Sequence, residues 1–141
     1  MPVKRISPEE ALALVNEQGY SYLDVRSVAE FESGHPKGAF NIPIADMGPR
    51  GMGPNLDFLS VVQKVFPKDS KLVVGCMSGG RSLQAVTLLL SSGYVDVVDQ
   101  RAGFRGGMDP QGRPEPGWGP KGFPSAKRAE PGRSYAELKA K

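Results

Sequence analysis

The residue best suited to chemistry in this sequence is its single cysteine, Cys76. It follows the apolar run at residues 72–74, and Arg81 comes after four intervening residues. A thiol becomes a strong nucleophile when positive charge or backbone N–H groups stabilise its thiolate. The glycines Gly79 and Gly80 let the intervening backbone turn several N–H groups towards one point. The spacing therefore predicts a nucleophile in an anion-binding loop, with Arg81 attracting an anionic substrate.

The segments on either side of the cysteine predict a strand, a tight loop and a helix. Residues 72–74 are apolar and mostly β-branched, which is typical of a strand buried on both faces of a parallel sheet. Apolar residues then recur at helical spacing, at Leu83, Val86, Leu89 and Leu90. A thiolate at a helix N-terminus is stabilised by the partial positive charge there. The alternative is an inert, buried cysteine at a strand end.

The remaining chain alternates between helical and strand patterns. Ser7 and Glu10 form a capping box that predicts a helix ending at Gly19. We expect strands at residues 20–25, 39–44 and 94–99, one or two helical turns at 28–31 and an irregular loop at 46–54. A further helix is expected to start at residue 54 or 55, with Leu56, Leu59, Val62, Val65 and Phe66 on its buried face. This alternation predicts an α/β fold with a mostly parallel sheet.

Three other side chains are candidates for the site. Asp24 and Arg26 stand two apart at the predicted carboxyl end of a strand, where they face a site or form an ion pair that fixes the following loop. His35 is the only histidine and a candidate general base, but nothing in the sequence places it near Cys76. A loop residue with local hydrogen bonds is the simpler interpretation.

Composition restricts the class of protein. The chain has 141 residues, about one domain, with no apolar stretch that would span a membrane and no secretory signal in residues 1–6, so we expect a cytoplasmic protein. A single cysteine allows no intramolecular disulfide and no cysteine metal cluster. Residues 113–141 carry a net charge of +4 and residues 1–112 carry −1, which is weak evidence for nucleic-acid binding. No membrane or nucleic-acid partner is therefore expected.

The chain changes character after Met108, where proline and glycine become frequent. We expect no regular structure there beyond a helical turn at residues 135–139. The segment is either partly disordered or docked on the domain through Trp118, Phe123 and Pro124.

Two stretches of the sequence resemble the single-domain rhodaneses, which are thiosulfate sulfurtransferase-like proteins. The first comprises residues 23–26, 30–31 and 34–43 (LDVR, EF and GHPKGAFNIP), and the second is residues 76–82 (CMSGGRS), supported by Gly103 and Phe104. The resemblance implies a rhodanese-like domain at residues 1–110, with a parallel sheet of about five strands flanked by helices on both faces. Residues 111–141 would form a basic, Pro/Gly-rich extension, docked in part.

The same resemblance implies an activity and a set of site residues. Cys76 would take the outer sulfur of thiosulfate or of a related persulfide donor, release sulfite, and pass the sulfur from a persulfide to cyanide or a thiol. The loop residues that would bind the substrate are Met77, Ser78, Gly79, Gly80 and Arg81, whereas Asp24 and Arg26 would be structural. No cofactor or metal is implied. The partners would be a small anionic sulfur donor, a thiol or cyanide acceptor, or a protein that donates or accepts sulfur.

Other functions remain open. Cysteine phosphatases place five residues between cysteine and arginine, whereas this chain has four, so its loop is expected to be too small for phosphate. Arsenate reduction normally uses additional cysteines, and the chain has none. A non-catalytic module that senses sulfur or binds a partner through its basic tail is the principal alternative.

Overall fold

The computed structural model describes residues 2–141. In chain order its elements are β1 (Arg5–Ile6), α1 (Pro8–Glu17), β2 (Ser21–Asp24), α2 (Val28–Ser33), β3 (His35–Pro36), β4 (Phe40–Asn41), β5 (Ala45–Gly48), β6 (Gly51–Pro54), α3 (Phe58–Val65), β7 (Lys71–Gly75), α4 (Gly80–Ser91), β8 (Asp96–Gln100), β9 (Gly106–Met108), β10 (Pro114–Pro116), β11 (Ser125–Ala126) and α5 (Tyr135–Lys139).

A five-stranded parallel sheet with the order β1-β8-β7-β2-β4 forms the centre of the molecule. The middle strand, β7, pairs with β2 on one side and with β8 on the other, so that Val73 lies opposite both Tyr22 and Val98. Leu72, Val73 and Val74 are fully buried, as expected for an apolar strand covered on both faces. The predicted fold class is confirmed.

Helices cover both faces of this sheet. On one face, α3, α4 and α5 bury a core that includes Val62, Leu89 and Leu138. On the other face, α1 and α2 pack with Trp118 around Tyr22 and Val73. Parallel strands need both faces covered, because their connections place helices there. Cys76 belongs to the core of the first face.

The capping signals in the sequence set the ends of the first two helices. Ser7 accepts a hydrogen bond from the Glu10 amide and Glu10 reaches back to the Ser7 amide, so the predicted capping box is confirmed. Ser27 and Glu30 form a second capping box at the start of α2. Gly34 ends this short helix at φ 149°.

Two predictions between residues 45 and 60 were wrong. The expected loop at residues 46–54 is an antiparallel hairpin, β5 with β6, in which Met47 pairs with Met52. Leu56 was expected on the buried face of the next helix but is 92% exposed. It lies before α3, which begins at Phe58, and Phe58, Val61 and Val62 form the buried face instead.

The C-terminal segment has more structure than its composition predicts. β9 pairs with β10, β11 pairs with β3, and α5 packs against α3. Trp118 and Leu138 are 2% and 0% exposed. Short strands at a surface tolerate proline, which explains how this segment pairs in spite of its composition. The division into a domain at residues 1–110 and an extension at 111–141 stays a prediction. In the part of the chain described, no helix is both long and apolar enough to cross a bilayer.

Candidate functional site

Cys76 lies in the loop between the carboxyl end of β7 and the start of α4. Its side chain is almost fully buried, and the Gly79 amide donates a hydrogen bond to Sγ at 3.1 Å. The amides of Met77 and Ser78 donate to no acceptor among residues 2–141. The first amides of α4 likewise have no intrahelical acceptor, as at any helix start. One N–H group therefore contacts the sulfur directly, and other amides of the loop remain without an acceptor.

Two glycines allow the close packing of this loop. Gly79 has φ 102°, and a Cβ added there would lie 2.3 Å from the carbonyl oxygen of Arg101. Gly103 has φ 68°, and its Cβ would lie 2.4 Å from the Met77 carbonyl oxygen. Both positions combine a left-handed backbone with no space for a side chain. Residues 103–104 lie against the loop, and the Phe104 amide donates to the Cys76 carbonyl oxygen at 2.8 Å.

A chain of polar groups extends from the buried sulfur to the partly exposed side chain of Arg5. Ser82 Oγ lies 3.4 Å from Cys76 Sγ and donates to Asp99 Oδ1 at 2.5 Å. The other carboxylate oxygen of Asp99 accepts from Arg5 Nε at 2.7 Å. Arg5 also donates to the Gly79 carbonyl oxygen at 3.3 Å. Arg5 therefore links β1 to the loop that contains Cys76.

The Asp99 carboxylate is the charged group nearest to this serine. Burial raises the pKa of Asp99, although its hydrogen bonds to Ser82 and Arg5 act in the opposite direction. The Ser82 hydroxyl has one proton, and the short distance to Asp99 Oδ1 shows that it donates its hydrogen bond to the carboxylate. The serine oxygen can therefore only accept a hydrogen bond from the thiol of Cys76.

The sequence predicts that Arg81 is a free positive charge in the site, but in the structure its guanidinium is already paired. Its guanidinium makes two hydrogen bonds to Glu30, at 2.6 and 2.9 Å. The hydrogen bond from Arg81 is the main reason that the pKa of Glu30 is lowered to about 2, and the same contact raises the pKa of Arg81. Arg81 therefore connects α4 to α2, and much of its charge is offset before any substrate binds.

Asp24 and Arg26 form a buried ion pair beside the loop. The two side chains are 2% and 1% exposed and meet at 2.8 Å. Arg26 also donates to the Gly34 carbonyl oxygen at 2.6 Å, and its guanidinium carbon lies 4.7 Å from the centre of the Phe104 ring. Of the two arrangements considered for this pair, the structure has the ion pair, which fixes the chain after β2.

His35 lies on the face of the sheet that α1 and α2 cover. Its ring is fully buried and stacks on Phe31 at 3.6 Å, and Nδ1 donates to the Phe31 carbonyl oxygen at 2.7 Å. Phe31 packs on the face of the sheet covered by α1 and α2, whereas Cys76 packs on the opposite face. The structure therefore does not bring the histidine to the cysteine.

Sequence reasoning missed the residues that pair with the predicted ones. Glu30 and Ser82 lie within the two resembling stretches and Asp99 within a predicted strand, but none of them was predicted to take part in the site. A signal existed for each: Glu30 closes a capping box, Ser82 follows Arg81 in the first turn of the helix, and Asp99 ends the strand next to β7. Within residues 2–141, no group of three His, Cys, Asp or Glu side chains is arranged to hold a metal ion.

Comparison with known proteins gives consistent matches over most of the chain. The model of the Rhodanese-like domain matches residues 7–108. Thiosulfate sulfurtransferase 16, chloroplastic, of Arabidopsis thaliana is 45% identical over 86 residues, which are 61% of this chain and 72% of that protein. Thiosulfate sulfurtransferase GlpE of Haemophilus influenzae is 32% identical over 75% of this chain and 89% of that protein.

Other curated relatives are longer, and the match spans about half of their length. Among solved structures, the crystal structure of Rv0390 from M. tuberculosis superimposes with a TM-score of 0.73 and 24% identity, over 91% of this chain and all of that one. At this identity the likeness concerns the fold.

Proposed function

Because the chain belongs to the Rhodanese-like domain family, we propose that it is a sulfurtransferase that carries the transferred sulfur as a persulfide on Cys76. Relatives named thiosulfate sulfurtransferase support sulfur transfer in general. One observation carries the assignment to Cys76: its Sγ accepts a hydrogen bond from the Gly79 amide at the start of α4. A sulfur anion is stabilised at such a position without a general base.

The reaction takes place in two displacements. In the first, the Cys76 thiolate attacks the outer sulfur of thiosulfate, a sulfur–sulfur bond forms to Sγ, and sulfite leaves with the electron pair of the broken bond. In the second, cyanide or a thiolate attacks the outer sulfur of the persulfide. The bond to Sγ breaks, and the thiolate of Cys76 is restored. A persulfide on another protein would enter the first step in the same way.

The loop is suited to hold the negative charge of these steps. The persulfide charge lies mainly on the outer sulfur, beyond the position of Sγ. The unpaired amides of Met77 and Ser78 and the first amides of α4 are the available donors. Four residues between Cys76 and Arg81 give a smaller loop than a phosphatase uses. We therefore propose a sulfur-sized site rather than a phosphate site.

A direct assay tests this function. The protein is incubated with thiosulfate and cyanide, and thiocyanate is measured, beside a Cys76→Ser variant. We expect turnover by the native protein and none by the variant, and mass spectrometry after thiosulfate treatment should show one added sulfur atom on the peptide that contains Cys76. Activity retained by Cys76→Ser would refute the nucleophile, and faster turnover of p-nitrophenyl phosphate than of thiosulfate would refute the choice of sulfur transfer.

Two observations favour a second candidate, a non-catalytic module of the same fold. Cys76 is 2% exposed, and Arg81 is already paired with Glu30. A module of this kind would acquire no persulfide from thiosulfate. The mass spectrum described above therefore separates the two candidates without any assumption about the acceptor.

A further inference from the structure

A cavity separate from the Cys76 loop lies between α2, the end of β4 and the C-terminal segment. Its volume is about 470 Å³, and its lining includes Phe31, Glu32, Asn41, Arg128 and Tyr135. None of residues 76–81 is among the described residues that line it. The cavity therefore lies outside the site proposed for sulfur transfer.

One residue of the lining has a buried acceptor without a donor. Asn41 is 1% exposed, and its Nδ2 donates to the carbonyl oxygens of Asp24 and Arg26 at 3.1 and 3.0 Å. These two bonds use both amide protons and so identify the other end of the amide as Oδ1. Oδ1 has no hydrogen-bond partner among residues 2–141. Leaving such an atom unpaired is unfavourable, so a bound molecule with an N–H or O–H group is favoured here.

Charges of both signs line the cavity without pairing. Glu32 belongs to α2, whereas Lys127 and Arg128 directly follow β11. All three residues are exposed, and none of them makes an ion pair with any of residues 2–141. A molecule that carries both an anion and a cation can therefore pair with both kinds of side chain at once. An ion of one sign would also meet a like charge.

The rest of the lining is mostly apolar. It includes Val28 and Phe31 from α2 and Ala129, Tyr135 and Ala136 from the C-terminal segment. The volume of the cavity lies in the range of sites for small organic molecules, about 300–1,000 Å³. An apolar group of a bound molecule therefore has both room and apolar contacts.

The cavity depends on the C-terminal segment. Its residues on α2 and β4 lie within residues 7–108, which match the family, whereas those at 127–136 lie beyond them. The family domain alone therefore does not form this cavity.

We propose that this cavity binds a free α-amino acid with an apolar side chain. The ammonium group of the amino acid pairs with Glu32 and donates to Asn41 Oδ1. Its carboxylate pairs with Lys127 and Arg128, and its side chain packs on Phe31. The bound amino acid joins α2 to the C-terminal segment. This binding does not depend on the proposed sulfur transfer.

Titration of the full chain with L-phenylalanine, followed by amide NMR spectra, tests the proposal. We expect a dissociation constant of about 0.1–1 mM, which is ordinary for so small a ligand. The amide signals that shift should be those of residues 28–32 and 127–136. N-acetyl-L-phenylalanine lacks the ammonium group and L-phenylalaninamide lacks the carboxylate, so each should bind at least about tenfold more weakly.

A matched pair of double variants locates the site. E32Q/R128Q removes one charge of each sign from the cavity. We expect it to raise the dissociation constant for L-phenylalanine about tenfold, because each partly exposed ion pair contributes about threefold. The control E17Q/R113Q removes the same two charges from exposed positions outside the cavity and should leave the constant unchanged. Both variants change exposed residues only and should keep the native stability, which urea denaturation verifies.

Three outcomes would overturn the proposal. The first is the absence of shifted signals at about 10 mM L-phenylalanine. The second is equally tight binding of N-acetyl-L-phenylalanine, which would exclude recognition of both charges. The third is an equal dissociation constant for the native protein and E32Q/R128Q, which would exclude this cavity. None of these outcomes depends on the formation of thiocyanate, which tests sulfur transfer alone.

Discussion

At the scale of single residues, the hydroxyl of Ser82 is the side-chain group within hydrogen-bond distance of the cysteine sulfur. It donates to the Asp99 carboxylate and presents its oxygen to Sγ. The hydroxyl must turn towards Sγ before it can donate a hydrogen bond to a sulfur anion. Asp99 is therefore a positioning residue that acts through Ser82.

Removing the charge of Asp99 should make Cys76 more reactive. In Asp99→Asn a neutral amide oxygen replaces the carboxylate as the acceptor, so the serine donates more readily to the sulfur. We expect iodoacetamide to alkylate Cys76 about three to ten times faster at pH 7. The effect should shrink in a Ser82→Ala background, since the link between the two groups is gone. Asp96→Asn is the control, because Asp96 bonds to Tyr20 and not to the loop. Equal alkylation rates in Asp99→Asn and the native protein would contradict this role.

The sequence was informative about Cys76 and its glycines but not about their partners. The apolar strand before Cys76 and the helical pattern after it are adjacent to it in sequence. Together they predict that Cys76 lies in the loop between them. Ser82 and Asp99 meet only because β7 and β8 are adjacent in the sheet, and Arg5 joins them from an edge strand. Contacts of this kind depend on strand order, which no local pattern encodes.

At the scale of elements, the turn from β7 into α4 depends more on Gly79 than on Gly80. Gly79→Ala places a Cβ 2.3 Å from the Arg101 carbonyl oxygen at φ 102°. We expect it to lower the free energy of unfolding by about 1–3 kcal/mol from the backbone conformation alone, with a further loss from the clash. Urea denaturation measures this change.

The neighbouring glycine supplies the control for this substitution. Gly80 lies in α4, and a Cβ added there meets nothing within 4 Å. We expect Gly80→Ala to be neutral or to stabilise the protein by up to about 1 kcal/mol, since alanine favours the helix. Equal destabilisation by the two variants would show that the loop does not need the left-handed backbone at residue 79.

The contact between α2 and α4 should make stability depend on pH. Arg81 lowers the pKa of Glu30 to about 2 from an ordinary value of 4.5. The folded state therefore binds fewer protons at Glu30 than the unfolded state, and its contribution is complete above pH 4.5 and lost as pH falls towards 2. We expect Glu30→Gln to reduce the loss of stability between pH 5 and pH 3, measured by urea denaturation.

A second glutamate on the same helix provides the comparison. Glu32 is exposed and has no ion-pair partner among residues 2–141. Glu32→Gln changes the net charge of the protein by the same amount, so it should retain the native pH dependence. If both substitutions flatten the profile equally, the effect arises from net charge and not from the ion pair with Arg81.

At the scale of the whole molecule, the C-terminal segment is part of the core. Leu138 in α5 is fully buried, so Leu138→Ala should lower the free energy of unfolding by about 2–5 kcal/mol. Leu56→Ala removes the same atoms from a side chain that is 92% exposed and should change stability by less than about 0.5 kcal/mol. Thermal or urea denaturation compares the pair. Equal effects would mean that α5 does not contribute to the core.

The inner strands of the sheet and the helices α1 and α4 were predictable because their apolar patterns and end signals are local in sequence, whereas the two-residue edge strand β1 was not predicted. Docking through Trp118 and a helical turn at residues 135–139 were expected in the C-terminal segment, and both are present. Its strand pairings were not predictable, because these strands have only two or three residues and the anchors are single side chains. Trp118 and Leu138 pack against residues far away in sequence, on opposite faces of the sheet. A short segment rich in proline carries no period that would reveal such contacts.

The outer strands of the central sheet, β1 and β4, contain two residues each. The amide of Asn41 in β4 donates to the carbonyl oxygen of Arg133, which belongs to the C-terminal segment. An exposed row of unpaired backbone groups is a template to which a strand of another chain can add. Here both borders are too short for such a template, and one is covered. The C-terminal segment that completes the core therefore also reduces the backbone that the sheet leaves open to pairing with another chain.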